Sequence, residues 1–293
     1  MNILLIGNPI SSGGHAGERI QALSKHLAGR GHQVKTYLTR FAMDGKNNIA
    51  SLSQKMDCTV VVGGDGTLNE IINGISDASH CPVLHFPTGN ANLLAKDLKL
   101  PQQIEAIVRL IEEGKTIKAD MGTMNGHRFL MVCGMGFDAR VTEELKKIRT
   151  GKVSSFTYVL PFIRALKTGG SSSLEVDVDG GIFKAEGKAV LVCNVRSYGG
   201  ICEMAYQAGV DTGVLDVVVL PRENILSILS YLFYAKFSRI TQIKDVVYLK
   251  AKEHVIIRSK NPIPVELDGD FCGRHPEVRI GIQRGAIPLI APS

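Results

Sequence analysis

The chain has 293 residues, 44% hydrophobic and 21% charged, with a net charge of +6. That length suits one large domain or two modest ones, each able to bury a core, and the composition is that of a soluble globular protein. No apolar run reaches the ~18 residues that would span a bilayer, and the first ten residues lack the basic start of a signal peptide, so any membrane role is expected to be peripheral. The six cysteines form no C-x-x-C pair and most lie in apolar runs. They read as reduced core thiols of a cytoplasmic protein, with neither disulfides nor zinc.

Residues 1 to about 100 alternate between two periodicities. "NILLIG" (2–7) reads as a strand and "GERIQALSKHLAGRGH" (17–32) as a helix, with Ala22, Leu23, His26 and Leu27 near helical spacing and Gly31 as its stop. "QVKTYLT" (33–39), "CTVVVGG" (58–64) and "CPVLHFP" (81–87) read as strands. "NNIASLSQKM" (47–56) and "LNEIINGI" (68–75) read as helices between them. Short, continuously apolar strands alternating with helices predict a parallel sheet covered on both faces. Ligands of such sheets bind beyond the carboxyl ends of the strands. The glycine-rich stretches after "ILLI", "VVV" and "LHFP" fall there.

After about residue 120 the pattern turns to strands: "HRFLMVCGMG", "SLEVDVDG", "KAVLVCNV", "LDVVVL", "DVVYLKA", "HVIIRS", "IPVELDG" and "EVRIGI". Turn signals such as Asp179-Gly180-Gly181 separate them. This predicts a mainly antiparallel second domain, broken by two helical stretches, 154–168 and 223–239. The second of these reads as a core helix because it is apolar over much of its circumference. The expected class is α/β with two domains: a Rossmann-like α/β domain over 1–122, completed by 284–293, and a β-rich, sandwich-like domain over 123–283.

"VVVGGDGTLNE" (60–70) raises the question of function. Thr67 and Glu70 alone are accounted for by a T-x-x-E capping box. Asp65 among Gly63, Gly64 and Gly66 is not. Glycines let a ligand approach the backbone, and their N–H groups cradle phosphate oxygens. The following helix turns its positive end to the same place, and an aspartate there can hold Mg²⁺ on a nucleotide's phosphates. No Lys-Ser or Lys-Thr follows, so this is not the P-loop pattern.

"GGDGTLNEIINGI" (63–75) resembles the signature of the diacylglycerol kinase catalytic-domain family, which includes bacterial lipid kinases and sphingosine kinases. Further motifs follow in the family's order over nearly the whole chain. "NPISSGG" (8–14) is similar to the family's N-P-x-S-G loop and brings in Asn8, Pro9, Ser12 and Gly13. Thr39 matches a family threonine near the nucleotide. "PTGNANLLAKDL" (87–98) stands where the family has P-x-G-T-x-N-D-F-A. Gly89 and Asn92 match, Asn90 replaces a threonine, and Leu93 replaces an aspartate. "GMGFDARV" (134–141) resembles G-x-G-F-D-A; read alone it is a glycine turn with a surface aspartate.

"AGVDTGVLDVVVL" (208–220) stands where many members have D-D-G-L-L-D, a metal-binding loop made partly by backbone carbonyls. Asp211 is kept, while Thr212 replaces the second aspartate and is a weaker ligand for a hard cation. In "PVELDGDFCG" (264–273), Asp270 matches the glutamate that is the family's proposed general base, one methylene shorter. Read alone, Asp268-Gly269-Asp270 is a hairpin turn.

The resemblance implies an ATP- and Mg²⁺-dependent transferase that phosphorylates a hydroxyl of diacylglycerol or a related lipid. Asn8, Pro9, Ser12, Gly13, Thr39, Gly63, Gly64, Gly66, Thr67, Asn69, Glu70, Gly89, Asn90 and Asn92 would surround the nucleotide. Asp65 would serve the metal, and Asp211 and Thr212 a second one. Asp270 would activate the acceptor in a cleft between domains. The expected partner is a lipid at a membrane surface, reached by a cytoplasmic, peripheral protein and compatible with a homodimer; no nucleic acid is expected. Lys146, Lys147, Arg149, Lys152, Arg164 and Lys167 beside the apolar stretch 154–168 suit anionic headgroups. Two other readings stand beside this one. A kinase of the NAD-kinase type shares G-G-D-G-T, but should not combine N-E-I-I-N-G with L-D-G-D. A non-catalytic nucleotide or lipid regulator is motivated by Leu93, Thr212 and Asp270.

Overall fold

The computed structural model describes residues 1–9, 16–75, 81–148, 159–167 and 172–292. The chain divides into two compact units, Met1–Ala119 with Arg284–Ser293, and Asp120–Gln283.

The first unit begins β1 (Asn2–Gly7), α1 (Ala16–Gly29), β2 (Gln33–Leu38), α2 (Asp44–Leu52), β3 (Cys58–Gly63) and α3 (Asp65–Ile72). It continues with β4 (Val83–Pro87), α4 (Leu93–Asp97), α5 (Ile104–Glu113) and the start of β5 (Thr116–Met124). β1 pairs in parallel with β2 on one side and β3 on the other, and β3 pairs in parallel with β4. The chain therefore winds outward from β1 in both directions, which makes the carboxyl ends of β1 and β3 the sheet's switch point. Both faces of the strands are buried. Ile3, Leu5, Val60, Val62 and Phe86 pack with Ile20, Leu23 and Leu27 of α1 and Ile107 and Ile111 of α5. The alternate residues Leu4, Ile6 and Val61 face the other way and are equally buried, on the side taken by α2 and α3. Each such side chain contributes roughly 1.5–3 kcal/mol. The amphipathic α5 was missed in the sequence, and α3 starts three residues earlier than its apolar pattern.

The second unit contains β6 (His127–Phe129), β7 (Val132–Gly136), α6 (Phe137–Ile148), α7 (Val159–Lys167), β8 (Leu174–Val178), β9 (Phe183–Gly187) and β10 (Ala189–Cys193). There follow β11 (Ser197–Tyr198), β12 (Cys202–Glu203), β13 (Leu215–Leu220), α8 (Ile225–Lys236), β14 (Val247–Ala251), β15 (His254–Leu267) and β16 (Asp270–Ile290), whose end belongs to the first unit. The pairings β14–β13–β10–β7–β15–β16 and β15–β8–β9 are all antiparallel. Cys133, Met135, Val190, Val192, Val217, Val219, Val255, Ile257 and Val265 form the core.

"HVIIRS" and "IPVELDG", read as two strands, are one. β15 slips register against β16 between Arg258 and Ile263, which lets its first half pair with β8 and its last three residues with β7. In the last stretch of β16, Leu289 pairs in parallel with Val83 of β4. All six cysteines are free, and Cys58, Cys133, Cys193 and Cys202 are buried.

The helix at 223–239 is present but is not a core helix. Only Tyr231 and Ala235 of α8 are buried.

Candidate active site

Three chain crossings meet at the carboxyl ends of the first unit's strands. Thr39 N–H donates to the Gly7 carbonyl at 3.0 Å and Thr88 N–H to the Gly63 carbonyl at 2.9 Å, tying the exits of β2 and β4 to those of β1 and β3. His85 is buried, and burial holds its pKa down at about 4. It is therefore neutral, and its Nε2–H donates to the Gly63 carbonyl at 3.0 Å. His85, inside an apolar run, carries no signal of this task in its sequence. Gly64 and Gly89 face each other: a Cβ on Gly89 would lie 2.6 Å from Gly64 Cα. The two loops approach this closely because both residues lack a side chain.

Asn92 sits at φ 49° before α4. Its side chain closes the loop, accepting from Gly89 N–H at 3.1 Å and donating to Gly89 O at 2.7 Å. This is a structural job, and Asn92 is buried. Asn90 is exposed on the same loop. It lines a cavity of about 240 Å³ together with Gly89, Lys96, Lys99 and Gln102.

Asp65 opens α3, and its Oδ1 accepts the Leu93 N–H at 2.8 Å. The backbone of residue 93 thus still serves the site although its family aspartate is gone. Burial is the main influence on the Asp65 carboxyl and pushes its pKa up to about 6, against the pull of the Leu93 and Asn92 N–H groups and of Lys96. A partly buried carboxylate in that condition is relieved by an incoming cation.

The capping box is not formed. Gly64 is the N-cap of α3 without a side-chain bond, because the helix starts too early for Thr67 to cap it. Glu70 instead accepts Gly45 N–H at 2.9 Å, joining α3 to α2. Asn69 accepts from the Asn73 amide. Gly66 is exposed and open. Asn8 and Pro9 follow β1 and are half-buried. Ser12 and Gly13 lie outside the described residues, as do Arg149 and Lys152.

In the second unit, Asp268 and Gly269 form a two-residue hairpin turn with φ 50° and 89°, and Leu267 pairs with Asp270 across it. Asp268 accepts three backbone N–H groups, from Leu130, Met131 and Val132, at 2.8–2.9 Å. It fixes the break between β6 and β7. Asp270 is exposed at the head of β16.

Beneath the turn lies a pair of carboxyl groups that the sequence did not reveal. Asp138, which read alone is a surface aspartate of a glycine turn, is half-buried and accepts a hydrogen bond from the Tyr198 hydroxyl. Glu266 is buried beside it, and both point into the space above Gly134 that a Cβ there would fill. The second oxygen of Glu266 accepts Gly269 N–H at 2.6 Å. Burial and the neighbouring Asp138 raise the Glu266 pKa well above the carboxylate range. Two carboxyls in one dry site hold one proton between them. Glu266→Gln, which keeps the proton-donor shape, is therefore expected to melt at or above the wild-type temperature at pH 8. Glu266→Ala is expected to melt well below it. Thermal melts of the two variants distinguish this from a salt-bridge role.

The Asp211–Thr212 loop is closed by its own chain. Thr212 Oγ1 lies 3.0 Å from Gly209 O and 3.2 Å from Val214 O, and the Asp120 carboxylate accepts Gly213 N–H at 2.6 Å. Asp211 is exposed. A committed hydroxyl and one exposed carboxylate make a poor donor set for a hard divalent cation, so no metal is assigned there. Among the described residues no three Asp, Glu, His or Cys side chains cluster as metal ligands.

The architecture is a parallel α/β unit with G-G-D-G-T at its switch point, followed in the chain by an antiparallel β unit. Residues 2–124 match the diacylglycerol kinase catalytic domain, and residues 131–291 match the YegS C-terminal NAD kinase beta sandwich-like domain. The chain belongs to the diacylglycerol kinase catalytic-domain family, a family of lipid kinases. It is 26% identical over 265 residues to diacylglycerol kinases of Staphylococcus aureus strains bovine RF122 / ET3-1 and Newman, covering 90% of this chain and 84% of theirs. A crystal structure of a diacylglycerol kinase from Bacillus anthracis str. Sterne superposes with a TM-score of 0.77 at 23% identity, over 99% of this chain and 97% of that one. A second structure from that organism gives a TM-score of 0.79 at 24% identity, over 99% and 95%.

Proposed function

We propose that this protein is an ATP-dependent lipid kinase that transfers the γ-phosphoryl group to a hydroxyl of diacylglycerol or a closely related lipid. The observation that carries the reading is Asp65. A carboxylate made uncomfortable by burial stands at the glycine-lined strand ends of a sheet's switch point. Phosphoryl transfer asks the protein for position and charge neutralisation rather than covalent chemistry.

Gly63, Gly64 and Gly66 offer backbone N–H groups and room for phosphate oxygens. The Asn8–Pro9 turn and Thr39 edge the same strand ends. Asn90, exposed on the loop after β4, offers its amide to a phosphate or ribose oxygen. Mg²⁺ carried by the nucleotide would neutralise charge on the transferring group, and Asp65 is the residue that would hold it, one carboxylate beside phosphate oxygens being a usual Mg²⁺ arrangement. Asp270 takes the proton of the acceptor hydroxyl, on a turn held by Asp268 and Glu266. Leu160 and Ile163 are exposed on α7 beside Arg164 and Lys167, which suits a lipid acceptor.

The test is transfer of label from γ-labelled ATP to dioleoylglycerol in mixed micelles, with sphingosine and NAD as alternative acceptors. Organic-extractable label on dioleoylglycerol or sphingosine supports the reading. Label on NAD alone, or ATP binding without transfer, removes it. Asn90→Ala is expected to raise KM for ATP about five- to tenfold, the worth of one hydrogen bond, with kcat little changed; steady-state kinetics check it.

A further inference from the structure

An amphipathic surface helix buries one side and offers water a polar one. α8 does not. Tyr231 and Ala235 are buried on its inner side. Its outer side carries Leu226 (76% exposed), Leu229 (54%), Phe233 (62%) and, just past its end, Phe237 (56%). These residues are three, four and four positions apart, so they line one side of the helix as a continuous stripe. Phe233 and Phe237 stack edge to face, with ring centroids 5.4 Å apart. The stripe is a built surface, not scattered exposed side chains.

The charges on the segment itself have one sign. From Asn224 to Lys244 there is no aspartate or glutamate, while Lys236, Arg239 and Lys244 are all exposed. The carboxylates at the edges of this segment are engaged. Glu223 pairs with Arg140 at 2.8 Å, Asp245 with Arg222 at 2.5 Å, and Glu203 accepts the Ser238 hydroxyl at 2.5 Å. Asn224 caps the helix through its side chain, so an otherwise orphaned backbone donor is satisfied at the end where the stripe begins.

We propose that α8 docks the protein on an anionic lipid bilayer, lying along the surface with the Leu226–Leu229–Phe233–Phe237 stripe in the headgroup–acyl boundary and Lys236, Arg239 and Lys244 on acidic headgroups. This deepens the lipid-kinase reading, since a kinase with a membrane-resident acceptor must reach the interface. Apolar area with adjacent cations is the combination that binds such surfaces. A second copy of the chain is the poorer occupant. It would bring the same three cations to an interface whose helix has no carboxylate to receive them.

The test is flotation of the full chain with vesicles of phosphatidylcholine alone and of phosphatidylcholine with phosphatidylglycerol, without nucleotide or diacylglycerol. The wild type is expected to partition at least tenfold more strongly onto the anionic vesicles. Phe233→Ser with Phe237→Ser should lower that partition at least tenfold, and Lys236→Glu with Arg239→Glu should do the same, with melting temperatures unchanged. Binding by both variants equal to the wild type, or no binding by the wild type, overturns the proposal. So does a wild-type dimer in solution that the phenylalanine variant dissolves. Because binding is read without turnover, a protein that binds vesicles but transfers no phosphate removes the kinase reading and leaves this one standing.

Discussion

Asp65→Asn is expected to lower phosphoryl transfer by about 10²–10³-fold, the usual worth of one group aimed at transition-state charge, while making the nucleotide-free protein more stable at alkaline pH. The stability gain follows from the sign of the pKa shift. In the folded chain the Asp65 carboxyl titrates at about 6, above its ordinary value, so folding takes up a proton between about pH 4 and pH 6. The group's contribution to stability therefore falls as pH rises through that window. By pH 8 its charge costs about 3 kcal/mol. Asparagine keeps the shape and an oxygen for the Leu93 N–H but carries no charge. The variant should melt about 5 °C higher than the wild type at pH 8, and the difference should vanish near pH 4. His85, whose shift has the opposite sign, is common to both proteins and cancels. Melts at the two pH values with an activity assay check both halves. A variant less stable at pH 8, or one with near-normal turnover, contradicts the account of Asp65.

The second large effect separates the two aspartates of the hairpin turn. Asp270→Asn should lower kcat by about 10²–10⁴-fold, the range for a lost general base, with KM for ATP and the melting temperature little changed. Asp270→Glu lengthens the reach by one methylene and should keep activity. Asp268→Ala strands the N–H groups of Leu130, Met131 and Val132, which the carboxylate now receives. At about 1 kcal/mol or more for each stranded donor, it should lose at least 3 kcal/mol and melt several degrees lower. Loss of turnover without loss of stability in an Asp268 variant, beside an active Asp270→Asn, would move the base from Asp270 to Asp268.

The class of fold was legible because its signals are local. Val60, Val61 and Val62 running into Gly63-Gly64 announce a buried parallel strand and its exit. Asp179-Gly180-Gly181 and Asp268-Gly269 announce turns by their chemistry. The G-G-D-G-T stretch reads as a candidate site because no packing argument accounts for an aspartate there.

What was missed depends on distant partners. Glu266 looks like any polar residue of a half-buried strand until Asp138, Tyr198 and the bare Gly134 are brought around it. His85 lies inside an apolar run and acquires a task only when β4 aligns with β3. The capping box failed for a related reason. Tertiary contact between Glu70 and Gly45 outweighed a local motif. α8 was misjudged because its sequence is apolar all round. That pattern suits a core as well as a helix facing something other than water, and only the exposure of Leu226 and Phe233 distinguishes the two.

The central claim is that the glycine-cradled Asp65 serves phosphoryl transfer to a lipid hydroxyl. Its most direct test is to incubate the wild type and Asp65→Asn with γ-labelled ATP and a total lipid extract, and to identify the organic-phase product by mass spectrometry. The account predicts that a glycerolipid or sphingoid alcohol gains one phosphoryl group with the wild type, and that the product all but disappears with Asp65→Asn. Label confined to the aqueous phase, or equal lipid labelling by both proteins, would contradict it.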